Sequence, residues 1–472
     1  MEGAYIGAHA AAKTYTTYVM TDQSGQYTFH GLVPGNYTIA TAIAGFRTAQ
    51  KNGITVETGK AAVADFIVQP ETDFQRLVEQ ATNSELLESF PLSQAQKQAL
   101  DYRCSDCHGE YYIAKSRFTL HDWTLIVSKM DDRFITPAGD LSPPAPFKST
   151  ERRPLSAAPP GSDVESIAAA LAQILGPQSP DFPIRFHARP AGKLTRAKVT
   201  EYQIPRVGAQ PRYVAVDPRG EYVWYSDWRF NYIGRIEIKT GEIKEYSIPD
   251  REGRPHGLQA TRWDRAGNLL VGQIWSGRAI RFDVKNEKIT GNWEAPQEWA
   301  RVGSVDICRY GEDGSASYWV SDALIGTSWV LDPETGKFTE VKAGARGRST
   351  ECDTSTDENP WHNGWSTAGG GKRVISYRNP TTGTMTDFPI TVTPWARPYN
   401  AVGDSARNIG WTVPDVTNRI VKVNANTGEI TEFPLPSRGK EIRNIDIELN
   451  SNPPALWFVN QRLGRVVRFQ EY

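Results

Sequence analysis

Five times between residues 240 and 427 the chain repeats a short turn of one type: Thr240-Gly-Glu-Ile, Asn286-Glu-Lys-Ile, Thr335-Gly-Lys-Phe, Thr382-Gly-Thr-Met and Thr427-Gly-Glu-Ile. They are spaced by 46, 49, 47 and 45 residues. A period of about 40–50 residues with several strands in each unit is the signature of a β-propeller. A strand-like run precedes each turn, as in residues 233–238, and another follows, as in residues 243–249. One further period after 427 reaches residue 472, which leaves the last unit short of its outer strand. Val199-Thr-Glu-Tyr-Gln-Ile-Pro205 matches Ile430-Thr-Glu-Phe-Pro-Leu-Pro436 and is expected to supply that strand from upstream, closing the ring and leaving no sheet edge in it. The count gives six blades, with seven as the alternative because residues 343–375 break the pattern. The fold class expected is therefore multidomain, with the propeller over 186–472.

At 472 residues the chain exceeds one ordinary core. Net charge is −1 and 23% of residues are charged, which gives no electrostatic case for nucleic acid or an anionic membrane. No run approaches the roughly 18 apolar residues of a transmembrane helix.

Residues 1–70 read as strands and tight turns: Tyr27, Phe29, Tyr37 and Ile39 alternate with polar neighbours, and Asp22-Gln-Ser-Gly25 and Pro34-Gly35-Asn36 supply turn chemistry. The pattern Thr21-Asp22-x-x-Gly25-x-Tyr27-x-Phe29, Leu32-x-Pro34-Gly35-x-Tyr37 and Gly45-Phe46 resembles the carboxypeptidase regulatory-like domain. The resemblance implies a small prealbumin-like β-sandwich without catalytic residues, in a spacer or docking role on an extracytoplasmic protein. The family's opening strand is not in the chain.

Over 71–185 the period changes from two to 3.6. Phe74, Leu77 and Val78 make one stripe; Ser93 with Gln96 forms a capping box; further helices are expected from Thr119, with Asp122 at its third position, and from Ser162-Asp-Val-Glu165, closed by Gly176-Pro177. A Pro-rich loop is expected over 131–161. Within this segment stands Cys104-Ser-Asp-Cys107-His108, the CxxCH spacing by which two thiols attach one haem c and the histidine ligates its iron. A zinc site would need two further ligands nearby, and the other cysteines, Cys308 and Cys352, lie about 200 residues away. A thioredoxin-like pair has no use for the histidine.

Of four methionines, Met130 alone is placed to be the sixth ligand, on a stripe with Trp123, Ile126 and Val127. The alternatives are His121, His187, an open position, or a Met130 that merely packs. Cys104-x-x-Cys107-His108, Ile113, Arg117-x-Thr119, Asp122-Trp123 and Val127-x-x-Met130 together resemble the haem-binding c-type cytochrome domains found beside periplasmic propellers, such as the haem domain of quinohaemoprotein amine dehydrogenase. That implies three or four helices around one covalent haem, outside the cytoplasm. Residues 1–10 carry no signal peptide, so a processed or truncated start is expected. Cys308 and Cys352 are open to either a disulfide or two buried thiols.

The propeller units resemble the virginiamycin B lyase (streptogramin lyase) family through Arg254-Pro255-His256-Gly257, Gly220-x-x-Val-Trp224-x-x-Asp227, Asn231-x-Ile-Gly-Arg-Ile236 and Thr427-Gly-Glu-Ile-Thr-Glu-Phe-Pro. That family uses glutamates and histidines at strand ends around a metal. Here the ends are Asp227, Asp322, Asp415 and Asn460, and an amide cannot act as a general base.

Arg212, His256, His362, Tyr399 and Asn444 are expected at the starts of innermost strands, facing the channel; the plainer reading is that strand-end aspartates cap turns and the histidines bond between blades. Three functions follow as expectations. The first is a periplasmic or extracellular mono-haem c-type cytochrome with the propeller as platform for a substrate or redox partner, protein or small molecule, and in its stronger form a dehydrogenase. The second is a C–O lyase with an accessory haem, and the third a non-catalytic polymer- or protein-binding module.

Overall fold

The structure is a computed structural model and describes residues 1–105, 109–132, 158–264, 266–296, 302–309, 316–322, 328–341, 361–363, 373–379, 381–414, 417–437 and 442–472. Residues 1–56 hold β1 (Tyr5–Ala10), β2 (Tyr15–Met20), β3 (Gly35–Ala42) and β4 (Gln50–Val56). Six α-helices follow among the described residues: α1 (Phe74–Gln80), α2 (Asn83–Ser89), α3 (Gln94–Cys104), α4 (Tyr111–Ala114), α5 (Leu120–Asp132) and α6 (Val164–Leu175).

Six antiparallel sheets follow among the described residues. The first has β6 (Pro211–Val216), β7 (Tyr222–Asp227), β8 (Tyr232–Glu237) and β9 (Ile243–Ser247); the second β10 (Thr261–Trp263), β11 (Leu269–Gln273), β12 (Arg278–Asp283) and β13 (Lys288–Glu294). The third has β14 (Val302–Arg309), β15 (Ala316–Asp322), β16 (Ser328–Leu331) and β17 (Phe338–Val341). The fourth shows β18 (Trp361–Asn363), β19 (Val374–Arg378) and β20 (Met385–Pro389), and the fifth β21 (Pro398–Asp404), β22 (Ile409–Pro414), β23 (Arg419–Asn424) and β24 (Ile430–Pro434). In the sixth, β25 (Ile442–Glu448), β26 (Ala455–Asn460) and β27 (Arg465–Glu471) are completed by β5 (Ala197–Gln203) from upstream, as the matching 199–205 run requires.

In the first five sheets the repeated turn is the hairpin before the outermost strand. Its second residue lies in the left-handed region, at φ 75° in Gly241, 70° in Gly336, 71° in Gly383 and 73° in Gly428, which only glycine enters without strain. Glu287 takes that conformation at φ 53° in the second sheet. Its carboxylate receives Lys244 at 2.6 Å, the Tyr246 hydroxyl at 2.7 Å and Arg235 at 3.2 Å, which fastens this hairpin to the first sheet. Residues Asp283, Asp332 and Asn379 open their turns by accepting backbone N–H groups two and three positions on.

Neighbouring sheets bury apolar side chains between them: Trp224, Ile233, Val271 and Phe282 between the first and second, Val214, Val223 and Tyr225 with Trp457 and Val466 between the first and sixth. The innermost strands touch one another, β6 with β10 and β25, β10 with β14, and β21 with β25, while β18, the second strand of the fourth sheet, touches β21. This is a propeller-like ring, and six sheets rather than seven are present among the described residues.

Two local readings are corrected. No strand forms over residues 26–31; Tyr27 and Phe29 still pack onto the apolar face of Ile6, Ala8, Tyr37 and Ile39, but as a covering extended segment, because the Tyr27 hydroxyl bonds to the Ala64 carbonyl and Gly25 and Gly31 bend the chain. The cap of α6 is Asp163, which accepts from Ser166 N at 2.8 Å, one residue later than Ser162. The capping box of α3 (Ser93/Gln96) forms as read, and Thr119 with Asp122 at the third position bond reciprocally at the start of α5.

The amino-terminal strands are more than a spacer. β2 pairs with β5 over Tyr15↔Tyr202 to Tyr18↔Val199, so that one eight-stranded sheet runs β25-β26-β27-β5-β2-β1-β3-β4 through both parts. Period-two alternation divides β1: Ile6 and Ala8 face the module's own core, whereas Tyr5 packs with Met20, Trp411, Phe433 and Phe469 of the propeller.

Candidate functional site

The helices share one core, in which Val78, Leu86, Leu87, Leu100, Trp123, Val127, Ile167 and Leu171 are buried. One residue of the ring joins it. Trp395, between β20 and β21, is buried there and donates from Nε1 to Glu88 Oε1 at 2.6 Å. It holds φ 64°, a left-handed backbone that a bulky residue adopts only under constraint. Around it, Ser84 Oγ donates to the Pro394 carbonyl at 2.8 Å, Asp101 pairs with Arg373 at 3.3 Å and Arg397 at 3.7 Å, and the Arg462 guanidinium lies 5.7 Å from the Tyr112 ring. The ring residues in these contacts precede β19 and β21 or follow β26, and so lie at the end of the ring where β6 begins and β7 ends.

That end carries most of the channel candidates. Four innermost strands slip register where they start: at Arg212, between Val302 and Ser304, across Tyr399 and Asn400, and at Asn444. A bulge at such a place takes a side chain out of the ladder's alternation and re-aims it. Arg212 donates to Gln461 Oε1 at 2.8 Å and to the Tyr399 hydroxyl at 3.1 Å, reaching across the sixth sheet to the fifth, and its guanidinium stacks 4.3 Å from the Trp228 ring. Arg443 lies 4.9 Å from the Tyr399 ring. Asn444, fully buried at φ 20°, accepts the Val214 N–H at 2.9 Å on Oδ1. Trp228, Arg443 and Gln461 were missed in the sequence; each adjoins a strand end or a candidate, which was the available signal.

His256 departs from its expected place. It sits in the loop before β10 rather than on an innermost strand, half exposed, with Nδ1 2.9 Å from Asp250 Oδ1 and 3.4 Å from Asn231 Nδ2. Asp227 follows the plainer reading: its buried carboxylate accepts Arg206 at 2.6 Å and the backbone N–H groups of Gln210, Arg229 and Phe230. Asn460 is buried at the end of β26. His362 lies in β18, which is the second and not the innermost strand of its sheet, and Asp322 and Cys308 lie in β15 and β14; their side chains, like the whole of Asp415 and Cys352, fall outside the described residues. No group of three histidine, cysteine or acidic side chains converges among the described residues.

Cys104 ends α3, while Cys107, His108 and most of the Pro-rich 131–161 stretch lie outside the described residues. Beyond the motif Glu110 is buried; it accepts a hydrogen bond from Ser105, and burial pushes its carboxyl up to about 7. In α5, Trp123 and Val127 are buried, but Met130 at the end of their stripe is 46% exposed rather than packed. His121 is exposed on α5, and His187 donates its backbone N–H to Glu85 Oε1 at 2.8 Å. Phe118, Leu120 and Leu125 are also exposed, so the segment presents apolar side chains of the kind a porphyrin covers.

A domain that matches the carboxypeptidase regulatory-like family is thus joined to a propeller-like ring: the family model matches residues 1–69. No curated protein matches the chain. Among solved structures it is similar to a streptogramin B lyase, at 14% identity and TM-score 0.43 over 60% of this chain and 100% of the other. It is also similar to a selenomethionine-substituted virginiamycin B lyase from Staphylococcus aureus (22%, TM-score 0.36, 59% and 88%) and to a gluconolactonase from Xanthomonas campestris (12%, TM-score 0.39, 61% and 94%). The ring rests on the sheets described above and not on these likenesses. No helix among the described residues is long and apolar enough to cross a membrane.

Proposed function

We propose that the chain is an extracytoplasmic mono-haem c-type cytochrome in which residues 71–185 carry the haem and the ring presents a substrate or redox partner to it. The observation that carries this reading is placement: the helical segment bearing Cys104-x-x-Cys107-His108 docks, through Trp395, Asp101 and Tyr112, on the end of the ring where Arg212, Tyr399 and Asn444 stand. Cys104 and Cys107 would attach the group and His108 would ligate its iron, with Met130 Sδ, on an exposed turn of α5, as the sixth ligand. Bound in that way, the haem supplies one-electron chemistry. The chain's own residues fix where it sits: Trp395 anchors the segment, and Asp101 with Arg373 and Arg397 sets its orientation on the ring. If electrons enter from a substrate held by the ring, the chain is a dehydrogenase; otherwise it relays them between partners.

The test is the mass of the peptide that contains residues 104–108, taken from protein made in a host that matures c-type haem. The reading requires one haem added covalently, lost in Cys104→Ala/Cys107→Ala; an unmodified peptide contradicts it. Met130→Ala should alter the ligand-field bands of the oxidised protein, and unchanged bands exclude Met130 as ligand.

One observation favours a second reading. The His256–Asp250 pair holds one ring nitrogen of a half-exposed imidazole, which supplies a general-base candidate for the lyase reading of the sequence. Opening of a streptogramin B by this protein, abolished in His256→Ala, would establish it; no turnover would remove it.

A further inference from the structure

We propose that Asn52-Gly53, on the free edge of the eight-stranded sheet, is a site of self-modification, at which the Gly53 nitrogen attacks the Asn52 side-chain amide and converts it to an acid. The site is independent of the haem segment and of the channel. β4 ends the sheet and pairs with β3 on one side only. Their register slips: Tyr37 faces Ile54 and Ile39 faces Lys51, so Asn52 and Gly53 together stand opposite Thr38. Two residues against one make a β-bulge, where the extra residue drops out of the ladder. Gly53 holds φ 71°, a Cβ added there would meet nothing within 4 Å, and both residues are exposed. Solvent base therefore reaches the nitrogen, and no side chain at position 53 crowds a five-membered ring closing between the two residues. Asn52 Oδ1 accepts the Thr38 hydroxyl at 3.0 Å, which draws electrons from the carbon under attack, while Nδ2, the leaving group, makes no hydrogen bond among the described residues.

Water is the one co-reactant. The Gly53 N–H gives its proton to solvent base, the bond from that nitrogen to Asn52 Cγ forms, the Cγ–Nδ2 bond breaks and ammonia leaves, which closes a cyclic imide. Water then opens the imide at either carbonyl, giving aspartate or isoaspartate at position 52, and nothing is oxidised or reduced. Both products add a negative charge to the edge, and isoaspartate also lengthens the main chain by a carbon within the β3–β4 pair. β3, β1 and β2 stand between β4 and β5, so the joint with the ring is left as it was. Asn36 supplies the contrast on the neighbouring strand. It too is exposed and its Oδ1 accepts the Thr55 hydroxyl at 3.0 Å, but it pairs in register with Thr55 and precedes the buried Tyr37 instead of a glycine.

The test holds the folded full chain in warm, mildly alkaline buffer over days, weighs the peptides that contain residues 36 and 52, and counts isoaspartate with an isoaspartyl methyltransferase. The amide-to-acid mass change at Asn52 should grow about tenfold or more faster than at Asn36, with isoaspartate among the products, and should slow about tenfold or more in Gly53→Ala. Gly53→Asn, which tolerates a left-handed backbone, serves where Gly53→Ala does not fold. The same reaction run in urea tests the part played by the bulge, because the folded rate should stay within about tenfold of the unfolded one. Equal rates at Asn52 and Asn36, an unchanged rate in the Gly53 variants, or stronger protection by folding would each overturn the site.

Discussion

The ring holds its two companions in different ways. The amino-terminal module is joined by main chain: β2 continues the ladder of β5, and Tyr5 and Met20 extend the apolar core of the fifth and sixth sheets. The helical segment is joined by side chains, chiefly the Trp395 anchor, the Asp101–Arg373–Arg397 set and the Tyr112–Arg462 stack. A ladder tolerates most substitutions because its bonds belong to the backbone; a few polar side chains do not. The module is therefore built to unfold with the ring, and the helical segment to respond separately.

The largest effect tests the first half of the contrast. Trp457 is fully buried, stacks 5.4 Å from Tyr202 of β5 and donates to Glu448 at 2.7 Å, so Trp457→Ala should cost about 3–5 kcal/mol in urea denaturation. Module and ring should still be lost in one transition. Next comes Thr200→Pro, which removes a donor and inserts a ring in the strand lying between β27 and β2; about 3 kcal/mol or more is expected. A much smaller cost would mean that the ladder is not what joins the two parts.

Asp101→Asn tests the other half. It takes one charge from between Arg373 and Arg397 and should cost about 2 kcal/mol. It should also separate the helical signal from the strand signal during unfolding, and a single unchanged transition would break the contrast. The smallest effect is a pH dependence within the ring. Burial raises the Asp446 carboxyl above its usual range, although it accepts Val216 N at 2.7 Å. A raised acid contributes stability at low pH, and that contribution is lost as pH rises through the folded value. Asp446→Asn should therefore be more harmful at about pH 4 than at about pH 8; the reverse order would contradict the raised value.

The ring was legible because its signal repeats. A left-handed turn residue is needed at every outer hairpin, glycine meets the need cheaply, and the spacing of Gly241, Gly336, Gly383 and Gly428 therefore exposes the period. The match of residues 199–205 to 430–436 likewise exposed the closure. What could not be read depends on neighbours in space. Nothing in the sequence ties Trp395 to Glu88, 307 positions away, or says that Tyr15 and Tyr18 flank a strand borrowed by the propeller. Arg212, Tyr399 and Asn444 stand near the starts of innermost strands, where the repeat placed them. His256 was misplaced, because Asp250 and Asn231 hold it in a loop that periodicity places only loosely. Met130 shares the helical stripe of Trp123 and Val127, but it lies near the end of α5, where the helical core no longer covers it.

The central claim is that electrons pass through a covalent haem at Cys104, Cys107 and His108. Visible spectra of the oxidised and reduced protein, from a host that matures c-type haem, test it most directly. The account predicts sharp α and β bands on reduction and a chromophore that stays with the polypeptide through acid–acetone extraction. A colourless protein, or haem that extracts into the solvent, would contradict it.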